Sequence, residues 1–149
     1  MNESQFHSAE DALAFIMAGN STVTLVSKKT GTRFTYRVRV AKSETDAQTD
    51  LYFVGLLRGP NNENDYAYLG RIAKGRVYIG RKVPKPGDVG RDAPSAIAFD
   101  YAWQHLERGR IPDMLEIWHE GRCGRCNRKL TVPASIAAGI GPECAQKED

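Results

Sequence analysis

The chain has 149 residues, a formal net charge of +3, and hydrophobic and aromatic shares of 41% and 9%. These values suit one folded domain, or a main domain with a small appendage, and they exclude wholesale disorder. The positive charge permits a polyanionic partner without requiring one. The sequence shows neither an apolar run that could span a bilayer nor a basic leader typical of a signal peptide, so we expect a cytoplasmic protein without a membrane partner.

The first predicted element is a short amphipathic helix. Ser8 can cap its start, with Asp11 as capping-box partner, and Gly19 ends it. Leu13 and Ile16 lie on one face of this helix, as expected for a helix that covers a core.

Runs of β-branched and aromatic residues predict the strands that follow. Turn-forming segments separate these runs, for example the pair Lys74 and Gly75. The predicted strands cover residues 21–27, 32–40, 51–58, 66–73 and 76–82. Short connections favour antiparallel neighbours, so we predict an antiparallel meander sheet of about five strands.

The strand at residues 32–40 alternates with a period of two. Its apolar face carries Phe34, Tyr36, Val38 and Val40, and its other face carries Arg33, Thr35, Arg37 and Arg39. One face therefore packs into the core and the other is basic. Residues 51–58 carry apolar side chains on both faces, which predicts a largely buried strand.

The strongest predicted helix covers residues 95–108. Its core stripe consists of Phe99, Ala102, Trp103 and Leu106. This spacing forms one face that can pack on the sheet. We therefore predict the α+β class, with residues 1–112 as an antiparallel sheet plus helices and residues 113–149 as a small C-terminal zinc-binding module, treble-clef-like or knuckle in form.

All three cysteines lie in the C-terminal segment, as Cys123, Cys126 and Cys144. The C-x-x-C spacing directs two thiolates toward one point, and a tetrahedral structural zinc needs four nitrogen or sulfur ligands. His119, four residues before Cys123, is the nearest fourth ligand. The sequence therefore predicts a closed zinc site made by one histidine and three cysteines, with the ion holding a segment too small to stabilise itself.

Other interpretations of the cysteines remain open. They can be ordinary reduced thiols of a cytosolic protein, or the C-x-x-C pair can be a redox motif, although its flanks lack the βαβ pattern of such motifs. His105 and His7 are the alternative histidine ligands.

Residues 119–144 resemble the short C-terminal module catalogued as domain of unknown function 6011, found in phage, prophage and bacterial proteins. The resemblance rests on a pattern of the form H-x-x-x-C-x-x-C-x-R-x-L-T-x-P-x-S-x-x-x-G-x-G-P-x-C. The matching residues are His119, Cys123, Cys126, Arg128, Leu130, Thr131, Pro133, Ser135, Gly139, Gly141, Pro142 and Cys144. The resemblance implies zinc, a mobile-element origin and hence the host cell cytoplasm, but no settled biochemical activity.

Basic residues cluster along the chain. The candidate nucleic-acid-binding residues are Arg33, Arg37 and Arg39 on one strand and Arg122, Arg125, Arg128 and Lys129 around the cysteines. Further basic residues, including Arg71, Arg81 and Lys82, lie on and after the last predicted hairpin. Outward-facing tyrosines among Tyr66, Tyr68 and Tyr78 could stack unpaired bases. This pattern favours single-stranded or structured nucleic acid over duplex readout, because no recognition-helix motif is present.

Two other classes of function are to be compared with nucleic-acid binding. A protein-interaction module with a purely structural zinc, directed at host replication, transcription or defence proteins, is the alternative. Enzymatic activity is disfavoured, because four ligands leave no open zinc position and the deaminase, phosphate-loop and H-E-x-x-H motifs are absent from the sequence. The sequence does not determine the oligomeric state.

Overall fold

A computed structural model describes residues 4–41, 51–59 and 65–126. Within these residues the elements are β1 (Gln5–Phe6), α1 (Ala9–Ile16), β2 (Asn20–Ser27), β3 (Arg33–Val40), β4 (Leu51–Leu57), β5 (Tyr66–Ala73), β6 (Arg76–Ile79), α2 (Pro94–Glu107) and β7 (Leu115–His119). The strands form one sheet of seven in the order β1-β7-β2-β3-β4-β5-β6, and every neighbouring pair is antiparallel.

The predicted five-stranded meander is wrong, because two more strands extend the sheet beyond β2. β7 pairs with β2 through contacts such as Leu25 with Ile117, and β1 pairs with β7. β1 has only two residues, which are too few to show the apolar–polar alternation of a strand. β7 pairs with β2, a strand that is distant from it in the sequence. The boundary predicted after residue 112 assigned β7 to the C-terminal module, but β7 lies inside the sheet.

The predicted first helix is confirmed as α1. The Ser8 hydroxyl accepts a hydrogen bond from the Asp11 backbone N–H at 3.0 Å, which satisfies one of the free donors at the helix start. The helix ends before Gly19, whose φ of 132° lies in the region that favours glycine. Phe15 and Ile16 are buried on its inner face, over the β1, β7 and β2 side of the sheet.

The predicted core stripe of the second helix is also confirmed. Phe99, Ala102, Trp103 and Leu106 of α2 are all buried. The Tyr36 hydroxyl of β3 donates to the Ser95 carbonyl at 2.7 Å, and Trp103 Nε1 donates to the Gly75 carbonyl at 3.0 Å. Burial raises the pKa of Tyr36 well above its ordinary value, so this hydroxyl stays protonated. Neither described helix has both the length and the apolar character that crossing a bilayer requires.

A β-bulge in β5 sets which side chains share a face of the sheet. Gly55 pairs with Tyr68 and Val54 pairs with Gly70, so Leu69 is an extra residue between them. The bulge buries Leu69 completely. Because of it, Tyr68 and Arg71 lie on the same face, although three positions apart on a regular strand they would face opposite ways.

The prediction that residues 51–58 form a largely buried strand is wrong for one face. Val54 and Leu56 of β4 are buried under the helices, whereas Phe53 is 43% exposed on the opposite face. No described helix covers that second face, so an apolar residue there remains in contact with water.

Candidate nucleic-acid interface and metal-binding loop

The face of the sheet opposite α1 and α2 is here called the open face. It carries the predicted basic side of β3, where Arg33 and Arg39 are exposed and Arg37 is half-buried. Strand alternation places these arginines opposite Tyr36 and Val38, which are fully buried in the core. The alternation predicted for this strand is therefore confirmed.

Four residues form a line across the open face, perpendicular to the strands. Arg39 of β3 pairs with Phe53 of β4, Phe53 pairs with Arg71 of β5, and Arg71 pairs with Tyr78 of β6. This line is here called the cation–aromatic row. Neighbouring strands lie about 4.8 Å apart, so the backbone positions of Phe53 and Tyr78 are about 10 Å apart, with Arg71 on the strand between them.

Arginine side chains also cover aromatic rings of the open face. Measured from guanidinium carbon to ring centroid, the pairs are Arg37 over Tyr66 at 4.0 Å, Arg81 over Tyr68 at 3.9 Å and Arg71 over Tyr78 at 4.8 Å. Such cation–π contacts hold the charged groups in fixed positions. All three tyrosines proposed as stacking platforms thus face the open side, and each has a guanidinium over its ring. They differ in exposure, because Tyr66 and Tyr68 are half-buried whereas Tyr78 is exposed.

Tyr78 and Phe53 are the accessible rings, each 43% exposed. Phe53 also lies 6.3 Å from the ring of Tyr68, centroid to centroid. The exposed aromatic surface of the open face is therefore concentrated in the cation–aromatic row.

The environment of Tyr66 explains how it holds Arg37. Tyr66 lies over Gly55, where an added Cβ would approach the Tyr66 Cβ to 3.2 Å. Burial raises the pKa of Tyr66, and the positive charge of Arg37 opposes that shift. Burial also lowers the pKa of Arg37, and the neighbouring Arg39 adds to the effect. Arg37 nevertheless remains cationic, because the guanidinium of arginine is not deprotonated in proteins.

Arg81 differs from the other cations because it has an acidic partner. Its Nε lies 2.9 Å from Asp88 Oδ2. The pKa of Asp88 is below its ordinary value, chiefly because the Lys85 backbone N–H donates to this carboxylate and also because Arg81 does. Arg81 therefore contributes less net charge to the open face than Arg39 or Arg71.

Toward β7 the open face is no longer exposed to solvent. Thr22 and Thr24 of β2 are buried there, although they lie on the face without a described helix. The Thr24 hydroxyl donates to Glu120 Oε2 at 2.8 Å and lies 2.8 Å from the Thr35 hydroxyl. The accessible basic part of the face therefore extends from β3 to β6.

The C-x-x-C loop packs against the turn between α1 and β2. The Asn20 backbone N–H donates to the Gly124 carbonyl at 2.8 Å, and a Cβ on Gly124 would lie 2.8 Å from Phe15 Cδ1. Cys123 is buried and Cys126 is exposed. The Arg125 backbone N–H lies 3.4 Å from Cys123 Sγ and donates to it. An N–H directed at sulfur stabilises the negative charge of a thiolate, which is the form that binds metal.

His119 lies at the end of β7 on the core face. It is 2% exposed, with its ring 5.6 Å from Phe6 and 5.5 Å from Phe15, centroid to centroid. Its Nδ1 accepts a hydrogen bond from the Gly121 backbone N–H at 3.0 Å. An accepting ring nitrogen carries no proton, so binding a metal through Nδ1 would replace this hydrogen bond.

Within residues 4–41, 51–59 and 65–126, no three histidine, cysteine or acidic side chains are grouped so that they could hold a metal ion. The predicted third cysteine ligand, Cys144, and the predicted basic residues Arg128 and Lys129 lie outside the described residues. Of the alternative histidines, His105 lies on α2 against Tyr101, 4.5 Å between ring centroids, and His7 is exposed before α1.

The structure brings together two arginines that the sequence assigned to separate clusters. Arg39 of β3 and Arg125 of the C-x-x-C loop line one shallow cavity of about 650 Å³, together with Gly19. Both arginines are exposed. The cavity therefore joins one end of the cation–aromatic row to the cysteine loop. Arg122, the remaining described candidate, is half-buried and close enough to Tyr66 to influence its pKa.

Sequence comparison gives a match to a family model in the C-terminal segment. Residues 116–149 match the model of a family described as "Family of unknown function (DUF6011)". The match begins in β7 and includes the C-x-x-C loop. No curated protein and no solved structure matches the chain.

Sequence reasoning missed Phe53 as a site residue and left Arg71 outside the nucleic-acid-binding set. The sequence predicts a buried strand around Phe53. The position of Phe53 on the open face becomes evident only once the helices are placed. The alternation of cation and ring depends on strand register, including the bulge at Leu69, which a single strand's sequence does not show.

Proposed function

We propose that this protein binds single-stranded nucleic acid across the open face of its sheet. The cation–aromatic row of Arg39, Phe53, Arg71 and Tyr78 is the observation that carries the proposal. Sequence-tolerant binding of single strands combines ring platforms for bases with cations that follow the phosphates, and the row supplies both in alternation. The proposed role is binding, with no catalytic step assigned to any residue.

Electrostatics support a polyanionic ligand rather than an apolar one. Arg33, Arg37 and Arg39 lie on one side of β3. Two described acids, Glu116 and Glu120, lie on or beside β7, away from the cation–aromatic row. Two others, Asp65 and Asp88, line the cavity beside Tyr66 and Tyr68, where Asp88 pairs with Arg81. The cation–π contacts already fix Arg37 and Arg71, so little side-chain entropy remains to be lost when a phosphate binds.

A single strand fits the geometry better than a duplex. The two exposed rings belong to strands that are two strand spacings apart, and unpaired bases can turn to stack on them. Bases in a duplex are already stacked on each other and present only their edges in the grooves. None of the described elements is a free recognition helix, because α1 and α2 both pack on the core.

We also propose that one zinc ion is held by His119, Cys123, Cys126 and Cys144, and that the chain has a phage or prophage origin. The described part of the cysteine loop fits the first proposal. Its backbone is held by Asn20, and the Cys123 sulfur accepts an N–H bond that suits a thiolate. A bound ion would supply folding free energy to the residues after the loop and would keep Arg125 beside Arg39.

The proposed function is tested with a double variant of the accessible rings, Phe53→Ala with Tyr78→Ala. Binding of a fluorescent oligothymidine is measured at low salt. Stacking contributes about 1 to 3 kcal/mol per base, so we expect the double variant to bind roughly 30-fold more weakly or worse.

The matched control is Ile97→Ala with Tyr101→Ala. These side chains are 58% and 50% exposed on α2, on the other side of the sheet, and their loss leaves the net charge unchanged. The control variant is expected to bind like the original protein. Equal losses in both variants, or no binding by the original protein, would remove the proposal. A protein partner retained from a lysate after nuclease treatment would favour the protein-interaction alternative.

A further inference from the structure

A second basic surface lies beside the cation–aromatic row, at the β6 edge of the sheet. An open cleft of about 640 Å³ is present there. Its lining consists of Arg71, Val77, Tyr78, Ile79, Gly80, Arg81, Lys82 and Arg91. Arg71 and Tyr78 belong to both the row and the cleft, so the two surfaces are continuous.

The floor of the cleft is built around Gly80. Its φ of 79° favours glycine, and an added Cβ would meet Arg91 Nε at 3.2 Å. The Gly80 backbone N–H donates to the Leu69 carbonyl at 2.8 Å. The Arg91 side chain therefore lies against Gly80, whose backbone is hydrogen-bonded to Leu69, the bulge residue of β5.

The segment that carries Arg91 is itself anchored. The Val89 backbone N–H donates to the Tyr68 carbonyl at 2.8 Å, and the Val89 side chain is buried. Asp88 binds Arg81 at 2.9 Å. These contacts hold the chain just before Gly90, and the Ala93 backbone N–H donates to the Gly90 carbonyl at 3.1 Å on the other side of Arg91.

The charge of the cleft is uncompensated. Asp88 neutralises Arg81, but the described lining contains no carboxylate that could neutralise Arg71, Lys82 or Arg91. Lys82 and Arg91 are exposed. β6 is also the terminal strand of the described sheet, and alternate backbone N–H groups of such a strand point outward. Cations beside outward N–H groups suit a phosphate.

We propose that this cleft is a phosphate-binding subsite, which takes the sugar–phosphate backbone of the single strand where it leaves the row past β6. The inference rests on the proposed function, because it assigns the cleft to the same ligand. It extends the contacted length of the strand beyond the two stacked bases. Lys82 and Arg91 contact phosphates only, so they add affinity without base preference.

The test uses the double variant Lys82→Ala with Arg91→Ala in the full-length protein. The matched control is Lys28→Ala with Lys29→Ala, which removes the same charge from an exposed turn after β2, four strands from β6. The probes are oligothymidines of about four and about twelve nucleotides, chosen to span the row alone and the row plus the cleft. The measured quantity is the dependence of log Kd on log salt.

For the longer probe we expect the cleft variant to lower the salt slope by about 1.4, since each phosphate contact with a single strand contributes about 0.7. The shorter probe should show no such change. The control variant should match the original protein with both probes. A cleft variant that keeps the original slope, a control with an equal fall in slope, or an equal loss for both probe lengths would each overturn the subsite.

The result also separates this inference from the proposed function. Suppose that the Phe53 and Tyr78 double variant loses binding while the cleft variant behaves like the original protein. The phosphate subsite is then contradicted, and the proposed binding function of the row is supported. If the original protein binds neither probe, both proposals fall.

Discussion

At the residue scale, Gly124 shows how one missing side chain positions the cysteine loop. The loop can approach α1 only because Gly124 lacks a Cβ, which would lie 2.8 Å from Phe15 Cδ1 and 3.0 Å from the Phe15 carbonyl oxygen. Phe15 is itself fixed between Phe6 and His119. The ring therefore cannot move aside without disturbing the core.

The variant Gly124→Ala is expected to be destabilised by about 1 to 3 kcal/mol, the usual cost of forcing extra atoms into a packed core. Its matched control is Gly90→Ala, because an added Cβ there meets no atom within 4 Å and the φ of Gly90 is not positive. The control should be neutral or more stable by up to about 1 kcal/mol. Urea unfolding followed by circular dichroism measures both, and equal stabilities of the two variants would contradict the packing account.

Single residues also show what the sequence could and could not predict. The Ser8 cap was predictable, because capping depends on residues three positions apart. The exposed position of Phe53 was not, because its strand is apolar on both faces and only the placement of α2 decides which face is covered. The buried face of β3 was predictable from alternation within one strand.

At the element scale, β7 joins the sheet to the cysteine loop. It pairs with β2 in register from Val23 opposite His119 to Ser27 opposite Leu115. The chain then turns at Gly121, whose φ of 76° favours glycine, and enters the C-x-x-C loop. The sequence predicted this run only as a lead-in to His119, because pairing with a strand about ninety residues earlier leaves no local signal.

The zinc proposal is tested at this scale with Cys126→Ser. Cys126 is exposed, so its replacement removes a proposed ligand without disturbing the core, unlike replacement of the buried Cys123. We expect one zinc per chain in the original protein by metal analysis and none in the variant. Far-ultraviolet circular dichroism should show that the sheet persists in the variant, because its core lies under α1 and α2.

Thiol reactivity provides a readout for zinc that does not depend on nucleic-acid binding. In the original protein the thiols should react with a chromogenic disulfide reagent only after a chelator is added, because coordinated thiolates are protected. Full thiol reactivity without a chelator, or an original protein without zinc, would contradict the proposal.

At the scale of the whole molecule, the two faces of one sheet carry different kinds of side chain. The helices cover one face, where Val23, Val38 and Ile72 have 0% exposure. The other face presents arginines and rings from β3 to β6. The net charge of +3 does not reveal how basic the open face is, because the acids lie largely elsewhere in the chain.

The architecture as a whole was less predictable than its parts. The segments of β2 to β6 were identifiable from composition and turn residues, but the sheet was wrongly limited to about five strands. The cation–aromatic row exists only when four strands are aligned, so no local sequence pattern predicts it. The basic residues were visible in the sequence, whereas their alternation with Phe53 and Tyr78 required the register.

The central claim is that the open face, from β3 to β6, is where a single strand binds. The most direct measurement is a two-dimensional amide NMR titration of the full-length protein with an oligothymidine of about eight nucleotides. We predict shifts concentrated at Arg39, Phe53, Arg71 and Tyr78 and their sheet neighbours, with the exposed side of α2 around Ile97 and Tyr101 unchanged. Shifts confined to α2, or no shifts at low salt, would contradict it.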